Sequence, residues 1–109
     1  MSPGGPSAGY GLGKANLDRI LSVLAGYPAI TQVILFGSRA KGNYRPGSDI
    51  DICLDAPTLD LDSQLEIETH LDDLLLPWKI DLLLRHHIDN TALRNHIERV
   101  GIKLAEFVP

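Results

Sequence analysis

Apolar residues recur along this chain with two periods, one typical of helices and one typical of strands. Leucine and isoleucine at helical spacing predict an amphipathic helix over Lys14–Ala25 and a second helix over residues 60–75, which begins with acidic capping residues. Asn90 is placed to cap a last helix with one apolar face, and Gly101 is placed to end it. The helical part of the predicted fold therefore consists of three segments.

Three short apolar runs predict strands, at residues 32–36, 49–54 and 79–84, and the last of these reads as a central strand. The stretch between the first two runs is polar and rich in turn residues. Residues 102–107 fit either a short edge strand or a continuation of the last helix. The order helix, strand, strand, helix, strand, helix predicts an α+β fold, in which a small mixed β-sheet has helices packed on one face.

The first 13 residues differ in composition from the rest, because they are rich in glycine and proline. Such a segment buries too little apolar surface to offset its ordering entropy, so we expect a flexible tail at residues 1–13. Residues 14–109 then form one domain, and 44% hydrophobic residues in the whole chain suffice for its core.

Charge and cysteine content narrow the class of protein. A net charge of −4 disfavours a protein held on nucleic acid by phosphate contacts. The single cysteine, Cys53, excludes an internal disulfide, and alternation predicts that it is buried beside the site described next. No apolar run approaches the roughly 20 residues of a membrane span, and the first residues lack a signal-peptide pattern. We therefore expect a cytoplasmic protein without a membrane partner.

Three aspartates form the candidate catalytic and metal site. Asp49 and Asp51 alternate along one strand, so their carboxylates point to the same face and repel each other. A hard divalent cation removes that penalty, because carboxylate oxygens are its preferred ligands. Asp81 is the only acid in the next apolar run, and pairing of the two strands would bring it alongside. Three such groups can hold two Mg²⁺ ions, with Mn²⁺ as the alternative, and Asp81 can take the proton of an attacking hydroxyl.

A second group of residues suits a bound phosphate. Gly37 directly follows the first strand and lets a phosphate approach the backbone, while nearby arginine and lysine add positive charge. The candidate nucleotide-binding residues are Gly37, Ser38, Arg39, Lys41, Arg45 and Ser48. Two alternatives stay open: Arg39 could instead pair with surface acids, and Ser48 could be a simple turn residue.

Gly37-Ser38, ten residues and then Asp49-Ile50-Asp51 resemble the signature of the DNA polymerase beta-like nucleotidyltransferase superfamily. The string GSRAKGNYRPGSDIDI resembles its smallest members, the MNT domains, and the resemblance covers about residues 17–104. It implies the nucleotidyltransferase fold, magnesium ligands at Asp49, Asp51 and Asp81, and triphosphate contacts at the glycine-serine pair. Lys41 stands where arginine is common in the family. The family offers no role for Cys53, or for His86 and His87, which we expect to be surface residues.

The resemblance also implies a function. MNT domains are often paired with helical HEPN proteins in toxin–antitoxin modules, and some adenylylate a tyrosine of the toxin. The chain leaves no room for an acceptor-binding domain after Asp81, so we expect an enzyme that moves AMP from ATP to a hydroxyl of a HEPN-type partner. The alternatives are a non-catalytic antitoxin that binds its partner by contact alone, and a nucleotidyltransferase that acts on a small molecule or RNA as a homo-oligomer.

Overall fold

The computed structural model describes residues 8–107. Short 3₁₀ turns lie at Ala8–Gly11 and Arg85–His87. Within this range, four helices and four strands occur in the order α1 (Lys14–Ala25), β1 (Gln32–Phe36), α2 (Gly37–Lys41), β2 (Ile50–Asp55), α3 (Leu61–Asp72), β3 (Ile80–Leu84), α4 (Thr91–Val100) and β4 (Ile102–Glu106). The α+β class is confirmed. The short α2 has no place in the predicted order of elements and lies inside the predicted turn region.

Side-chain caps begin two of the helices where the sequence predicts them. Asp60 Oδ1 accepts a hydrogen bond from Ser63 N at 2.7 Å at the start of α3. Asn90 Oδ1 accepts one from Leu93 N at 3.0 Å at the start of α4. Each cap satisfies a backbone donor that the first helical turn leaves without a partner. Among residues 8–107, no helix has both the length and the apolar character that crossing a bilayer requires.

The sheet has the strand order β3-β2-β1-β4. β1 pairs antiparallel with both β2 and β4, whereas β2 and β3 are parallel. The open question about residues 102–107 is thereby answered, because Ile102–Glu106 is a strand at one edge. The expectation that Asp81 lies in a central strand is wrong: β3 is the other edge, although it does pair with β2 as the metal-site prediction required.

Apolar side chains pack on both faces of the sheet. On one face Leu35 and Ile52 pack with Ile20 of α1 and Ile67 of α3, and all four side chains are fully buried. This face carries the predicted helical layer. Burial of each such aliphatic side chain contributes about 1.5–3 kcal/mol, so this face provides most of the core.

The second face carries a smaller apolar cluster and a helix of its own, whereas the sequence predicts helices on one face only. Phe36 and Cys53 pack there with Ile88 and with Ile97 of α4. The prediction of a helical layer on one face is therefore correct for α1 and α3, while α4 covers part of the opposite face. Cys53 is buried as predicted, and burial raises the pKa of its thiol to about 11. A buried thiol with a raised pKa forms little thiolate at neutral pH, so Cys53 fits a packing position better than a nucleophile.

The predicted boundary of the N-terminal tail is too late in the chain. Residues 1–7 lie outside the described part, but Leu12 is 3% exposed and belongs to the main core. Gly9, Gly11 and Gly13 have φ between 67° and 83°, which lets the segment turn so that Leu12 points inward. The high glycine content of residues 1–13 predicts disorder, because an average over the segment hides the contribution of one buried leucine.

Leu12→Ala tests this corrected boundary. We expect the substitution to lower the free energy of unfolding by about 2–4 kcal/mol, because it leaves a cavity in the core. Leu61→Ala is the matched control, since Leu61 is 64% exposed, and it should change stability by no more than about 0.5 kcal/mol. Urea unfolding followed by circular dichroism measures both. Equal small effects would show that the segment does not pack on the core.

Candidate functional site

Two carboxylates face each other across the β2–β3 pair. The parallel register places Asp51 directly beside Asp81, and their side chains are within hydrogen-bonding reach. Burial raises the pKa of Asp51, and repulsion from Asp81 and then from Asp49 raises it further. A hydrogen bond between two carboxyl groups requires a shared proton, so this pair favours binding a proton or another cation.

Gly37 makes room for the carboxylate of Asp51. Phe36 pairs with Asp51 across β1 and β2, which brings the next residue of the chain over the same carboxyl group. A Cβ at Gly37 would collide with Asp51 Oδ2, and its φ of 74° is a conformation that L side chains rarely adopt. Glycine is therefore required at position 37 for two reasons, the positive φ of the turn and the close approach of the Asp51 carboxylate.

Asp49 is less closely placed than predicted. It is exposed, lies just before β2, and acts on Asp51 through charge repulsion rather than through a hydrogen bond. Within residues 8–107, no three His, Cys, Asp or Glu side chains are grouped closely enough to hold a metal ion. The structure thus assembles two of the three predicted ligands. Charge repulsion disfavours a rotation of the exposed Asp49 carboxylate towards Asp51 and Asp81 unless a cation lies between them.

Sequence reasoning missed one residue of the site. Lys79 Nζ lies 3.5 Å from Asp81 Oδ1, and Lys79 stands directly before β3, two residues before Asp81. Strand alternation could have indicated this neighbour. Both side chains are well exposed, so the ion pair adds little to stability, but it supplies the carboxylate pair with a nearby positive charge.

A cleft of about 620 Å³ runs along the β3 edge beside the carboxylates. Its lining includes Asp51 and Asp81 but neither Gly37 nor Ser38. Further lining residues include the apolar Phe36, Leu83 and Leu93, the acids Glu68 and Asp72, and one base, Lys79. The carboxylate pair therefore stands between two different surroundings: the Gly37-Ser38 turn after β1, and an apolar cleft with an acidic rim at β3.

Arg39 does not point outward to a ligand. Its side chain is 1% exposed, and it donates hydrogen bonds to the carbonyl oxygens of Tyr10 at 2.9 Å, Pro46 at 3.3 Å and Ser48 at 2.8 Å. Burial lowers the pKa of the guanidinium, which still remains charged at neutral pH. The predicted phosphate contact of Arg39 is not supported by this geometry. The alternative pairing with surface acids is not seen among the described residues either.

The remaining candidates lie on or near the turn after α2. Lys41 and Arg45 are exposed, and neither forms an ion pair within residues 8–107. Ser48 Oγ accepts a hydrogen bond from Arg45 N at 2.9 Å, which supports the turn interpretation of this serine. Ser38 is half-buried in α2, and its carbonyl oxygen accepts a hydrogen bond from Gly42 N at 2.9 Å.

His86 and His87 do not join the site. Both are exposed in the turn after β3, with ring centroids 4.1 Å apart. The expectation that they are ordinary surface residues agrees with this position.

Sequence comparison connects this geometry to known proteins. Residues 18–106 match the family described as Polymerase beta, Nucleotidyltransferase. The chain is also 34% identical over 70 residues to two Methanocaldococcus jannaschii proteins, MJ0126 and MJ1217, which are provisionally named protein adenylyltransferases. Each match spans 63% of this chain and 70% of the relative.

Solved structures agree with this comparison. A chain from a toxin–antitoxin crystal structure with AMP-PNP superposes with a TM-score of 0.70 at 29% identity, over 84% of this chain and 74% of that one. A chain from a tri-AMPylated Shewanella oneidensis HEPN toxin in complex with MNT antitoxin superposes with a TM-score of 0.65 at 26% identity, over 86% and 72%.

Asp51→Asn should stabilise the metal-free protein at neutral pH. The pKa of Asp51 is raised above 3.8 by burial and by its acidic neighbours, so its ionisation costs stability above the raised pKa and costs none below 3.8. Relief of about 0.5–1 kcal/mol of repulsion should raise Tm by roughly 2–8 °C.

The gain in Tm should shrink as the pH is lowered towards 4. Asp55→Asn is the matched control on the same face of β2, because Asp55 lies 3.8 Å from the guanidinium of Arg85 and should lose rather than gain stability on neutralisation. A gain in Tm that is independent of pH, or equal in the two variants, would contradict the repulsion between Asp51 and Asp81.

Proposed function

Because the chain belongs to the Polymerase beta nucleotidyltransferase family, we propose that it transfers AMP from ATP to a hydroxyl group of a HEPN-type partner protein. It would then be an antitoxin-type protein adenylyltransferase. The observation that carries the proposal is the Asp51–Asp81 pair, with Gly37 packed against Asp51. Relatives named as adenylyltransferases and the AMPylated HEPN toxin complex support the choice of acceptor class.

Divalent metal ions, two Mg²⁺ by preference, are part of this proposal. The residues fit such ions by their chemistry, since Asp51 and Asp81 offer adjacent oxygen donors whose charges repel. Asp49 is exposed and could complete the ligand set by a change of side-chain rotamer. Bound Mg²⁺ would stabilise the charge that develops on the phosphates and on the leaving pyrophosphate.

The two surroundings of the carboxylate pair suit two substrates. The triphosphate would lie against Gly37 and Ser38, at the turn after β1 that packs against the carboxylate of Asp51. Lys41 and Arg45 are exposed on the same turn region and would add positive charge there. Arg39 is left out of this set because its donors are directed to carbonyl oxygens.

The acceptor would approach from the β3 side. The cleft at this edge touches Asp81, which can accept the proton of the attacking hydroxyl. Phe36, Leu83 and Leu93 give the cleft apolar walls, which suit the ring of a tyrosine better than a strongly polar acceptor. Its acidic rim disfavours the negatively charged backbone of RNA.

A rival function uses the same fold without catalysis. A non-catalytic antitoxin would neutralise its partner by contact alone and would need neither Asp51 nor Asp81. The repulsion between these two acids favours the enzyme, because a contact surface gains nothing from keeping it. Transfer to a small molecule or to RNA by a homo-oligomer remains the other alternative, and it predicts that the partner protein is never modified.

Intact mass spectrometry of the partner tests the enzymatic proposal. The co-purifying HEPN-type protein, incubated with this protein, ATP and Mg²⁺, should gain the mass of whole AMP units. Asp51→Asn and Asp81→Asn should each slow the transfer by at least about a hundredfold, while the control Asp55→Asn transfers normally. An unchanged partner mass, together with full neutralisation of the partner by the Asp49→Asn/Asp51→Asn double variant, would establish the contact-only alternative.

Gly37→Ala tests whether the close approach of backbone and carboxylate matters for transfer. The added Cβ collides with Asp51 and should displace it, so we expect a loss of about ten- to a hundredfold in the transfer rate. Gly42→Ala is the matched control, because Gly42 also has a positive φ of 86° but no atom within 4 Å of the added Cβ. Both variants should lose thermal stability through the strained φ, and Gly37→Ala should lose more because of the collision. Equal transfer rates would show that the position of Asp51 is not set by Gly37.

A further inference from the structure

Arg39 connects the two halves of the site through the protein interior. It lies in α2, two residues after Gly37, and its Nη2 and Nε donate to the carbonyl oxygen of Ser48 at 2.8 and 3.2 Å. That carbonyl belongs to the peptide that joins Ser48 to Asp49. One planar guanidinium therefore fixes the orientation of the peptide bond immediately before the predicted metal ligand.

An aromatic cage holds the guanidinium in this position. Its Cζ lies 4.9 Å from the ring centroid of Tyr44 and 5.4 Å from that of Trp78. Trp78 Nε1 also donates to the carbonyl oxygen of Pro46 at 2.8 Å, the same carbonyl that Arg39 contacts. Both side chains thus converge on the turn that leads into Asp49.

The N-terminal segment closes the cage from the other side. The carbonyl oxygen of Tyr10 accepts a hydrogen bond from Arg39 Nη1. A Cβ at Gly11 would collide with the Tyr44 ring and would come within 2.9 Å of Arg39 Nη1. At Gly13, which has a similar φ of 83°, a Cβ would meet no atom within 4 Å.

We propose that Arg39 is a positioning residue, which sets the place of Asp49 by holding the Ser48–Asp49 peptide, and that Tyr10 and Gly11 take part in this arrangement by closing its cage. The inference rests on the proposed function, because it assumes that Asp49 acts as a metal ligand. Four hydrogen bonds from one buried cation to three carbonyl groups make an arrangement that lysine cannot reproduce, since its ammonium lacks the planar fork.

Arg39→Lys is the central test, with two readouts. Mn²⁺ affinity measured by titration calorimetry should fall by about 10–100-fold, as expected when a residue that orients a metal ligand is removed. The rate constant kcat for AMP transfer should fall with it, while KM for ATP changes little, because the Gly37-Ser38 turn is untouched. Arg19→Lys is the matched control: Arg19 also donates to a backbone carbonyl, that of Leu74 at 2.8 Å, but on the exposed side of α1.

Gly11→Ala against Gly13→Ala gives an independent test that leaves Arg39 in place. Both substitutions strain a positive φ, but only Gly11→Ala pushes on the cage. We expect Gly11→Ala alone to weaken Mn²⁺ binding and transfer. If Arg39→Lys does not fold, this pair and Trp78→Phe, which removes the hydrogen bond to Pro46 while keeping a ring, decide the question.

The outcomes separate this inference from the proposed function. Variants that melt at lower temperature but bind Mn²⁺ and transfer AMP like the wild type would overturn the positioning role and leave Arg39 structural. If the wild type binds Mn²⁺ but transfers nothing, the proposed function fails while the Mn²⁺ titrations still test the inference. A wild type that does not bind Mn²⁺ overturns both.

Discussion

The repulsion between Asp51 and Asp81 is the constraint on which the rest of the site depends. Parallel pairing of β2 and β3 fixes the two carboxylates beside each other, and the apolar core beneath them prevents either strand from shifting. A shift by one residue would turn the buried Ile50 and Ile52 outwards and bury the acids instead. The core therefore maintains an electrostatic cost that a bound cation can relieve, which is why the family's chemistry fits this chain.

The surrounding features serve the same arrangement. Gly37 lets the backbone after β1 approach Asp51, and Arg39 links that turn to the peptide before Asp49. The cleft at the β3 edge leaves Asp81 reachable from outside the sheet. Because β3 is an edge strand, a partner protein can present a side chain there without the domain opening. In the proposed function, one side of the carboxylate pair would face a triphosphate and the other side an acceptor.

Elements with a strong local signal were predictable from the sequence. The caps at Asp60 and Asn90 and the strand periodicity follow from short-range rules, whereas the pairing of Asp51 with Asp81 could be predicted only on the condition that β2 and β3 are neighbours. What the sequence could not show depends on contacts between distant residues. The sequence predicts that Arg39 binds phosphate because it shows the charge of this residue but not the carbonyl groups to which the side chain donates. Leu12 was assigned to a tail because its glycine neighbours dominate the local composition.

The proposed function requires that the Asp51–Asp81 pair bind divalent metal ions. Anomalous X-ray scattering from crystals grown with Mn²⁺ and a non-hydrolysable ATP analogue tests it directly. The account predicts a manganese peak that touches both Asp51 and Asp81, with Asp49 turned towards it from its exposed position. Analogue bound at Gly37 and Ser38 with no manganese at the Asp51–Asp81 pair would contradict it.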